Sequence, residues 1–286
     1  MNQEARLETQ RSATRPLRLM AMVAHPDDES LGFGGTLARY KAEGVETSVV
    51  TATRGQSGRY LEHRSGPEHP GPQRLGEIRE SELRAAAAVL GVADLTVLDH
   101  VDGKLDQVDP REVIGQLAHH LRRVRPQVVM TFPPDGAYGH PDHIAICQFV
   151  TAAIVAAADP AHRSIIDSTL EPFGVSKLYY MVSNTQEWEA YQAAFKRLVS
   201  IVDGVERQGM PWPDWEITTS IDTRAHWQTV WKAVSCHHSQ VSSYEKLKQL
   251  SPEHHEGLWG RRSFYRAFSR VNGGRGHETD LFEGLR

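Results

Sequence analysis

Four short apolar runs constrain this chain more than any other feature: Leu17 to Ala24, Val45 to Thr53, Leu95 to Leu98 and Val128 to Phe132. Each is followed by a segment of helical character. Runs that stay apolar on consecutive positions suit strands covered on both faces, and strands separated by helices pair in parallel. The first helix is predicted over about Gly34 to Glu43, with Gly44 as its stop. The second is predicted over Leu75 to Leu90, where the Ala85 to Ala88 run has high helix propensity and Gly91 ends it. Asp109 and Pro110 read as the N-cap and first residue of a third, reaching Val124. A fourth follows His143.

The fold class expected is α/β: a Rossmann-like, mainly parallel sheet with helices on both faces, over residues 17 to 160. After residue 160 the alternation stops. Lys177 to Val182 and Trp215 to Ile221 read as strands, Gln186 to Val202 and Thr223 to Cys236 as helices, and Arg262 to Ser269 as an edge strand. Residues 161 to 270 therefore form a C-terminal α/β extension packed on the core. Positions 271 to 286 are Gly-rich and charged and read as a loose tail. Residues 1 to 16 are polar, lack the apolar centre of a secretory signal, and read as a disordered arm.

Composition narrows the partners. The formal net charge of −4 offers no general attraction to nucleic acid or to an anionic membrane. The longest apolar stretch, Ile144 to Ala158, falls short of the ~20 residues needed to cross a bilayer, contains Gln148, and fits a buried helix. Cys147 and Cys236 read as unbridged thiols in a reducing cytosol, so a cytoplasmic protein is expected. A homo-oligomer is compatible with the sequence.

In parallel sheets, ligands bind beyond the carboxyl ends of strands. Two such ends carry metal-binding residue types: His25-Pro26-Asp27-Asp28-Glu29 after the first strand and His140-Pro141-Asp142-His143 after the fourth. A lone histidine at a strand end is usually a surface residue; two clusters at two ends weigh the other way. Zinc accepts imidazole and carboxylate, and a catalytic site keeps three protein ligands and one open position. His25, Asp28 and His143 would supply that set. Asp27, beside the metal, would serve as base toward an acidified water, although a hydrogen-bonding or helix-capping role is its plainer alternative. His140, three residues before His143, would face the same cavity and stabilise an oxyanion or protonate a leaving amine. Asp142 reads as an orienter of a ligand histidine, and Glu29 and Ser30 as caps of the following helix.

Other features carry less. Gly32-Phe33-Gly34-Gly35 lacks the third glycine of a dinucleotide fingerprint, with Leu37 in its place, and reads as close packing of the helix on the sheet. Cys236 beside His237 and His238 does not make a nucleophile and base, because neighbouring residues seldom converge. His237 or His238 is a candidate to line the substrate cavity. Trp212, Trp215, Trp227 and Trp231 read as core, His63 and His69 as solvated, and His254 and His255 as surface.

The paired His-Pro-Asp-Asp-Glu and His-Pro-Asp-His segments resemble those of the LmbE-like, or PIG-L, family of zinc-dependent N-acetylglucosaminyl deacetylases, which includes mycothiol- and bacillithiol-type deacetylases and related amidases. The resemblance covers residues 17 to 160, and His237-His238-Ser239-Gln240 is similar to a His-x-Ser-Gln segment of many members. It implies His25, Asp28 and His143 as Zn2+ ligands (Fe2+ would suit the same set), Asp27 as general base, and His140 as electrostatic partner of the tetrahedral intermediate. It also implies Tyr138 as a contact to the polarised carbonyl, and Arg79 and Asp102 as binders of sugar hydroxyls. Gln56 stands where many members carry a glutamate, a departure that removes a charge from the sugar site. The implied reaction is hydrolysis of the acetamide of an N-acyl amino sugar, without redox cofactor or nucleotide. The alternatives are an amidase for a thiol conjugate or non-sugar amide, and a metal-binding protein without catalysis.

Overall fold

The computed structural model describes residues 16–162, 166–167, 169–195, 199–240, 245–274 and 276–286. Nearly all of the arm expected over residues 1–16 lies outside them.

The four apolar runs form β1 (Arg18–Val23), β2 (Glu46–Thr53), β3 (Asp94–His100) and β4 (Val128–Thr131). Between them lie α1 (Gly34–Ala42), α2 (Pro72–Leu90) and α3 (Pro110–Val124), and α4 (Pro141–Ala158) follows. The capping residue of α3 behaves as read: the Asp109 carboxylate accepts the Arg111 N–H at 2.9 Å. The second helix begins at Pro72, three residues earlier than the apolar pattern shows, because its first turn is solvated. The fourth begins at Pro141, so His143 sits in its first turn rather than before it.

The chain continues through β5 (Lys177–Val182), α5 (Thr185–Phe195), the hairpin β6 (Val199–Val202) and β7 (Val205–Gln208), β8 (Thr219–Asp222), α6 (Trp227–Val234), α7 (Pro252–Trp259) and β9 (Arg261–Ser269). The main sheet has seven strands in the order β3-β2-β1-β4-β5-β9-β8. The first five are parallel; β9 runs antiparallel to both β5 and β8. Helices α1, α2 and α6 contact one another, and α3 and α4 contact each other, giving the two helix layers of a doubly wound sheet. Leu19 to Ala24 and Val128 to Met130 are buried between these layers. α4 is apolar and long enough to cross a membrane by composition alone, yet it packs on α3 and presents about half its residues to the interior.

The sheet's connectivity fixes where a site can form. From β1 the chain winds outward through β2 and β3, then returns to β4 on the other side of β1. The carboxyl ends of β1 and β4 are therefore neighbours with diverging connections, the switch point at which ligands bind.

Several C-terminal expectations change. The expected edge strand is an inner one, β9, held between β5 and β8. The helix expected over Gln186 to Val202 is shorter, and its last four residues pair as β6. Trp215 lies in a 3-10 turn before β8 and is exposed, so it is not core. His255, expected at the surface, is buried with its ring stacked between Trp227 and Trp259. The segment expected as a loose tail packs on the sheet: Leu281 and Phe282 are fully buried, and burying two such side chains contributes about 2 kcal/mol each. Glu278, also buried, lies 2.7 Å from both Lys177 Nζ and Arg266 Nη1. Charge in the sequence suggested solvation here because its partners lie on distant strands.

Candidate metal centre

β1 ends at Val23, and the chain turns through His25, Pro26 and Asp27 before a one-turn helix, Asp28–Leu31. Asp27 has φ 107°, a conformation that costs a non-glycine residue on the order of 1–3 kcal/mol. The turn folds Asp28 back on its own loop, where Oδ2 accepts the His25 N–H at 2.8 Å. At the end of β4, Asp135 accepts the Ala137 N–H and shapes the turn that delivers His140 to the start of α4. The His143 ring stacks on Phe132 with centroids 3.8 Å apart. Its Nδ1 lies 3.3 Å from the Gly136 carbonyl, which can only accept, so the proton sits on Nδ1 and Nε2 keeps its lone pair.

Donor atoms of three residues converge, with both Asp28 oxygens within reach. His25 Nδ1 is 3.3 Å from His143 Nε2 and 3.5 Å from Asp28 Oδ2; His143 Nε2 is 3.5 Å from Asp28 Oδ1. Ligands at tetrahedral zinc distances stand roughly 3.3–3.6 Å from one another, so the triangle fits one divalent ion. A second grouping, His25 with His140 and Asp142, also lies within reach of one ion. Its atoms are already engaged. Asp142 accepts the backbone N–H groups of Gly103 at 2.7 Å and Leu105 at 3.0 Å, and His140 Nδ1 accepts the Asp142 N–H. The first grouping is the better site.

The far side of His25 explains its orientation. Nε2 lies 3.1 Å from both Asp142 Oδ2 and Asp102 Oδ1. Carboxylates accept, so Nε2 carries a proton and Nδ1 is turned toward the triangle, the usual support of a metal-binding imidazole. Burial opposes a charge on His25, but these two carboxylates outweigh it and raise its pKa well above the ordinary value. Burial pushes the pKa of His143 down to about 3, leaving a neutral imidazole. Asp28 is held well below the usual carboxylate range; burial works against this, and the His143 and His25 rings overcome it.

A cavity of about 710 Å³ opens over the triangle, lined by Asp27, Asp28, Tyr138 and His143, and by Trp188 and Trp212 from the C-terminal part. Tyr138 sits edge-on to His143, and burial raises its pKa, so it stays a phenol able to donate. Burial and the nearby His25 lower the pKa of His140. With Nδ1 accepting, a neutral His140 presents Nε2–H as a donor; its ring stands 4.8 Å from those of His25 and His143 and, contrary to expectation, the residue is not among those that line the cavity.

A family model, PIG-L: GlcNAc-PI de-N-acetylase, matches residues 20–154. The chain is 33% identical over 314 aligned residues to a 1D-myo-inositol 2-acetamido-2-deoxy-alpha-D-glucopyranoside deacetylase of Kineococcus radiotolerans, covering 95% of this chain and 84% of the relative. The chain belongs to the PIG-L family. Among solved structures, a conserved protein of Thermus thermophilus superposes with a TM-score of 0.62 at 26% identity, over 90% of this chain and 97% of the other. A 4-carboxy-2-hydroxymuconate hydratase of Pseudomonas putida superposes with 0.67 at 18% identity, over 90% and 99%, a likeness of fold alone. This PIG-L chain is an enzyme of amide hydrolysis, a deacetylase, which sets aside the reading of a metal-binding protein without catalysis.

Of the remaining residues singled out in the sequence, Asp27 is among those that line the cavity, and Arg79, Asp102, Gln56 and His238, expected as substrate contacts, are not. Arg79 lies behind the Asp27 carboxylate. Arg79 Nη2 donates to Asp27 Oδ2 at 3.2 Å and to the Pro26 carbonyl, and Nη1 donates to Gly55 O at 2.8 Å. Any side chain at Gly55 would collide with that guanidinium, its Cβ falling 2.2 Å from Nη1. Asp102 is buried against His25 and also accepts the Ser57 N–H. Gln56 donates to the His100 carbonyl, while its Oε1 is buried with no partner among the described residues. His238 is exposed, whereas His237 is fully buried and meets Glu29. Gly34 and Gly35 pack close as expected, but against Val230 of α6 and Thr223 rather than the sheet. Trp188, absent from the sequence reading, and Trp212, read there as core, line the cavity. Their placement depends on contacts distant in sequence, and no local signal marks it.

Proposed function

We propose that this PIG-L deacetylase removes the acetyl group from an N-acetylglucosaminide, with a 2-acetamido-2-deoxy-glucopyranoside of inositol as its leading substrate and Zn2+ as its ion. The observation that carries the reading is the triangle of His25 Nδ1, Asp28 and His143 Nε2 beneath a cavity that also holds Asp27 and Tyr138. The curated relative supplies the sugar.

When bound by these residues, the ion supplies Lewis acidity toward the acetyl carbonyl and an acidified water. Asp27 accepts the proton that the water gives up on attack, and Arg79 keeps that carboxylate aimed. Tyr138 donates its phenolic hydrogen to the developing oxyanion. His140 Nε2–H adds a second donor, and the proton held by Asp27 is passed to the departing amine. The products are acetate and the free amino sugar. Asp102 and Asp142 hold His25 in its tautomer throughout.

Acetate release from 1D-myo-inositol 2-acetamido-2-deoxy-alpha-D-glucopyranoside tests the reading. Wild-type enzyme releases acetate; Asp27→Asn keeps its metal and loses roughly 10²- to 10⁴-fold in kcat. Full activity in Asp27→Asn removes the base assignment, and no acetate from wild type removes the substrate. A second reading, an amidase for a bulkier N-acyl conjugate, draws on the apolar wall of Trp188, Trp212 and Met210. A higher kcat/KM for such a conjugate than for the inositol glycoside favours it.

A further inference from the structure

The segment that supplies two ligands and the base holds a third carboxylate for which the reaction has no use. Glu29 is fully buried. Its Oε2 accepts the backbone N–H of Asp27 at 2.9 Å, and its Oε1 lies 2.9 Å from His237 Nε2. The Ser30 hydroxyl donates to the same Oε1. His237 is fully buried as well and arrives from the turn after α6, 208 positions away. A helix cap needs no such partner.

That turn is tied at several points. The Ser239 N–H and hydroxyl donate to the two oxygens of Glu82 on α2, at 2.6 and 2.7 Å. Gln240 Nε2 donates to the Arg59 carbonyl at 2.7 Å, and the Leu61 N–H donates to the Ser239 carbonyl at 2.6 Å. The His237-His238-Ser239-Gln240 segment thus braces α2, the 54–71 loop and the base of the metal loop together. It is His237 that reaches the segment carrying Asp27.

Asp27 is held at φ 107°. A strained backbone persists only where its surroundings over-determine it. Here Arg79 grips the Asp27 carboxylate from one side, and Glu29 grips its N–H from the other. Asp28 has its own anchor, the His25 N–H.

We infer that Glu29 and His237 are a positioning pair that fixes the Asp27 backbone, and so aims the catalytic carboxylate into the cavity. The inference rests on the reading of Asp27 as base. Neither residue touches substrate or ion; they act through the turn. The pair separates two properties of one loop, because loss of the Glu29 grip frees the base while the ligand triangle keeps its own bonds.

The test uses Glu29→Ala, Glu29→Gln, His237→Ala and Asp27→Asn in the full chain. Glu29→Ala and His237→Ala lower kcat by roughly 10- to 100-fold, with KM within about twofold and metal stoichiometry unchanged. Glu29→Gln stays within about threefold of wild type, because its amide oxygen can still accept from Asp27 and its NH2 can still face His237. Hydrogen exchange over residues 24–31, followed by mass spectrometry, rises in Glu29→Ala and not in Glu29→Gln. In an Asp27→Asn background, Glu29→Ala causes no further loss, as expected of groups that act through one carboxylate. Should an alanine variant fail to fold, His237→Phe fills the volume without the hydrogen bond and shows the same kcat loss. Unchanged kcat in Glu29→Ala or His237→Phe overturns the inference, and so does an undiminished loss in the Asp27→Asn background. Full activity in Asp27→Asn alone overturns the base assignment instead.

Discussion

His25 Nδ1 and His143 Nε2 stand 3.3 Å apart although 118 positions separate them in the chain. The sheet order explains the meeting: β1 and β4 pair directly, His25 follows β1 closely, and the turn after β4 leads to His143 in the first turn of α4. Stacking on Phe132 accounts for the burial of the His143 ring but not for the direction of its Nε2. Two buried nitrogens and a carboxylate facing one another are costly unless a cation or proton lies between them.

Metal removal is the first consequence. A chelator abolishes acetate release, and Zn2+ restores it. His143→Ala weakens metal binding by more than the roughly 10- to 100-fold that follows loss of a ligand's own hydrogen-bond partner. Zn2+ at about 100 times its Kd adds ~2.7 kcal/mol to wild-type stability, raising Tm by roughly 5 °C. Calorimetry of metal-stripped protein with and without Zn2+ measures the shift, and an equal shift in His143→Ala contradicts the site.

Asp142 is the next test. It accepts from His25 Nε2 and from two backbone N–H groups. Asp142→Asn keeps the shape and loses the charge behind His25, so metal affinity falls roughly 10- to 100-fold. Asp142→Ala also strands the Gly103 and Leu105 N–H groups, each at about 1–3 kcal/mol, and lowers Tm further. Competition against a fluorescent chelator reads the first effect and thermal melting the second. Wild-type affinity in Asp142→Asn rules out the supporting role.

The convergence of His25, Asp28 and His143 was legible in the sequence because they belong to local clusters after two strands, whereas the order that makes β1 and β4 neighbours comes from the sheet itself. What lay beyond local pattern was not legible. Asp102 read as a sugar contact from its family position, and its bond to His25 depends on how the loop after β3 crosses the sheet. Glu29 read as a cap because its partner, His237, lies across the whole chain. The C-terminal segment read as solvated because glycine and charge mark loops, and only the fold shows Lys177 and Arg266 waiting for Glu278. Strand β9 looked like an edge because aromatics alternate along it; the pairing of β8 covers that edge.

Tyr138 separates orientation from ligation. Its ring stands edge-on to His143 with centroids 5.2 Å apart, and its hydroxyl remains protonated because burial raises its pKa. Tyr138→Phe retains the metal and the packing and removes one oxyanion donor. A loss of roughly 10²-fold in kcat, with KM nearly unchanged, is expected from the typical worth of such a donor. Steady-state kinetics with metal analysis on the same sample checks it, and wild-type kcat assigns the oxyanion to other groups.

Glu278 makes acid stability a test of the C-terminal segment. Burial opposes its ionisation, yet bonds from Lys177, Asn272, Tyr179 and Arg266 hold its pKa down at about 2, against an ordinary 4.5. A carboxylate with a depressed folded pKa stabilises fully above its unfolded pKa and loses that contribution as pH falls toward the folded one. The window here runs from about 4.5 down to about 2, and the full contribution is roughly 3 kcal/mol. Glu278→Gln removes it and leaves the buried Lys177 ammonium with the Glu283 carbonyl at 2.8 Å in place of an ion pair. Urea unfolding at pH 7 therefore shows the variant less stable by roughly 3 kcal/mol, and the gap narrows by about 2 kcal/mol at pH 3. A gap of the same size at both pH values means the loss is one of packing, and that the ionised Glu278 is not what anchors the C-terminal segment to β5 and β9.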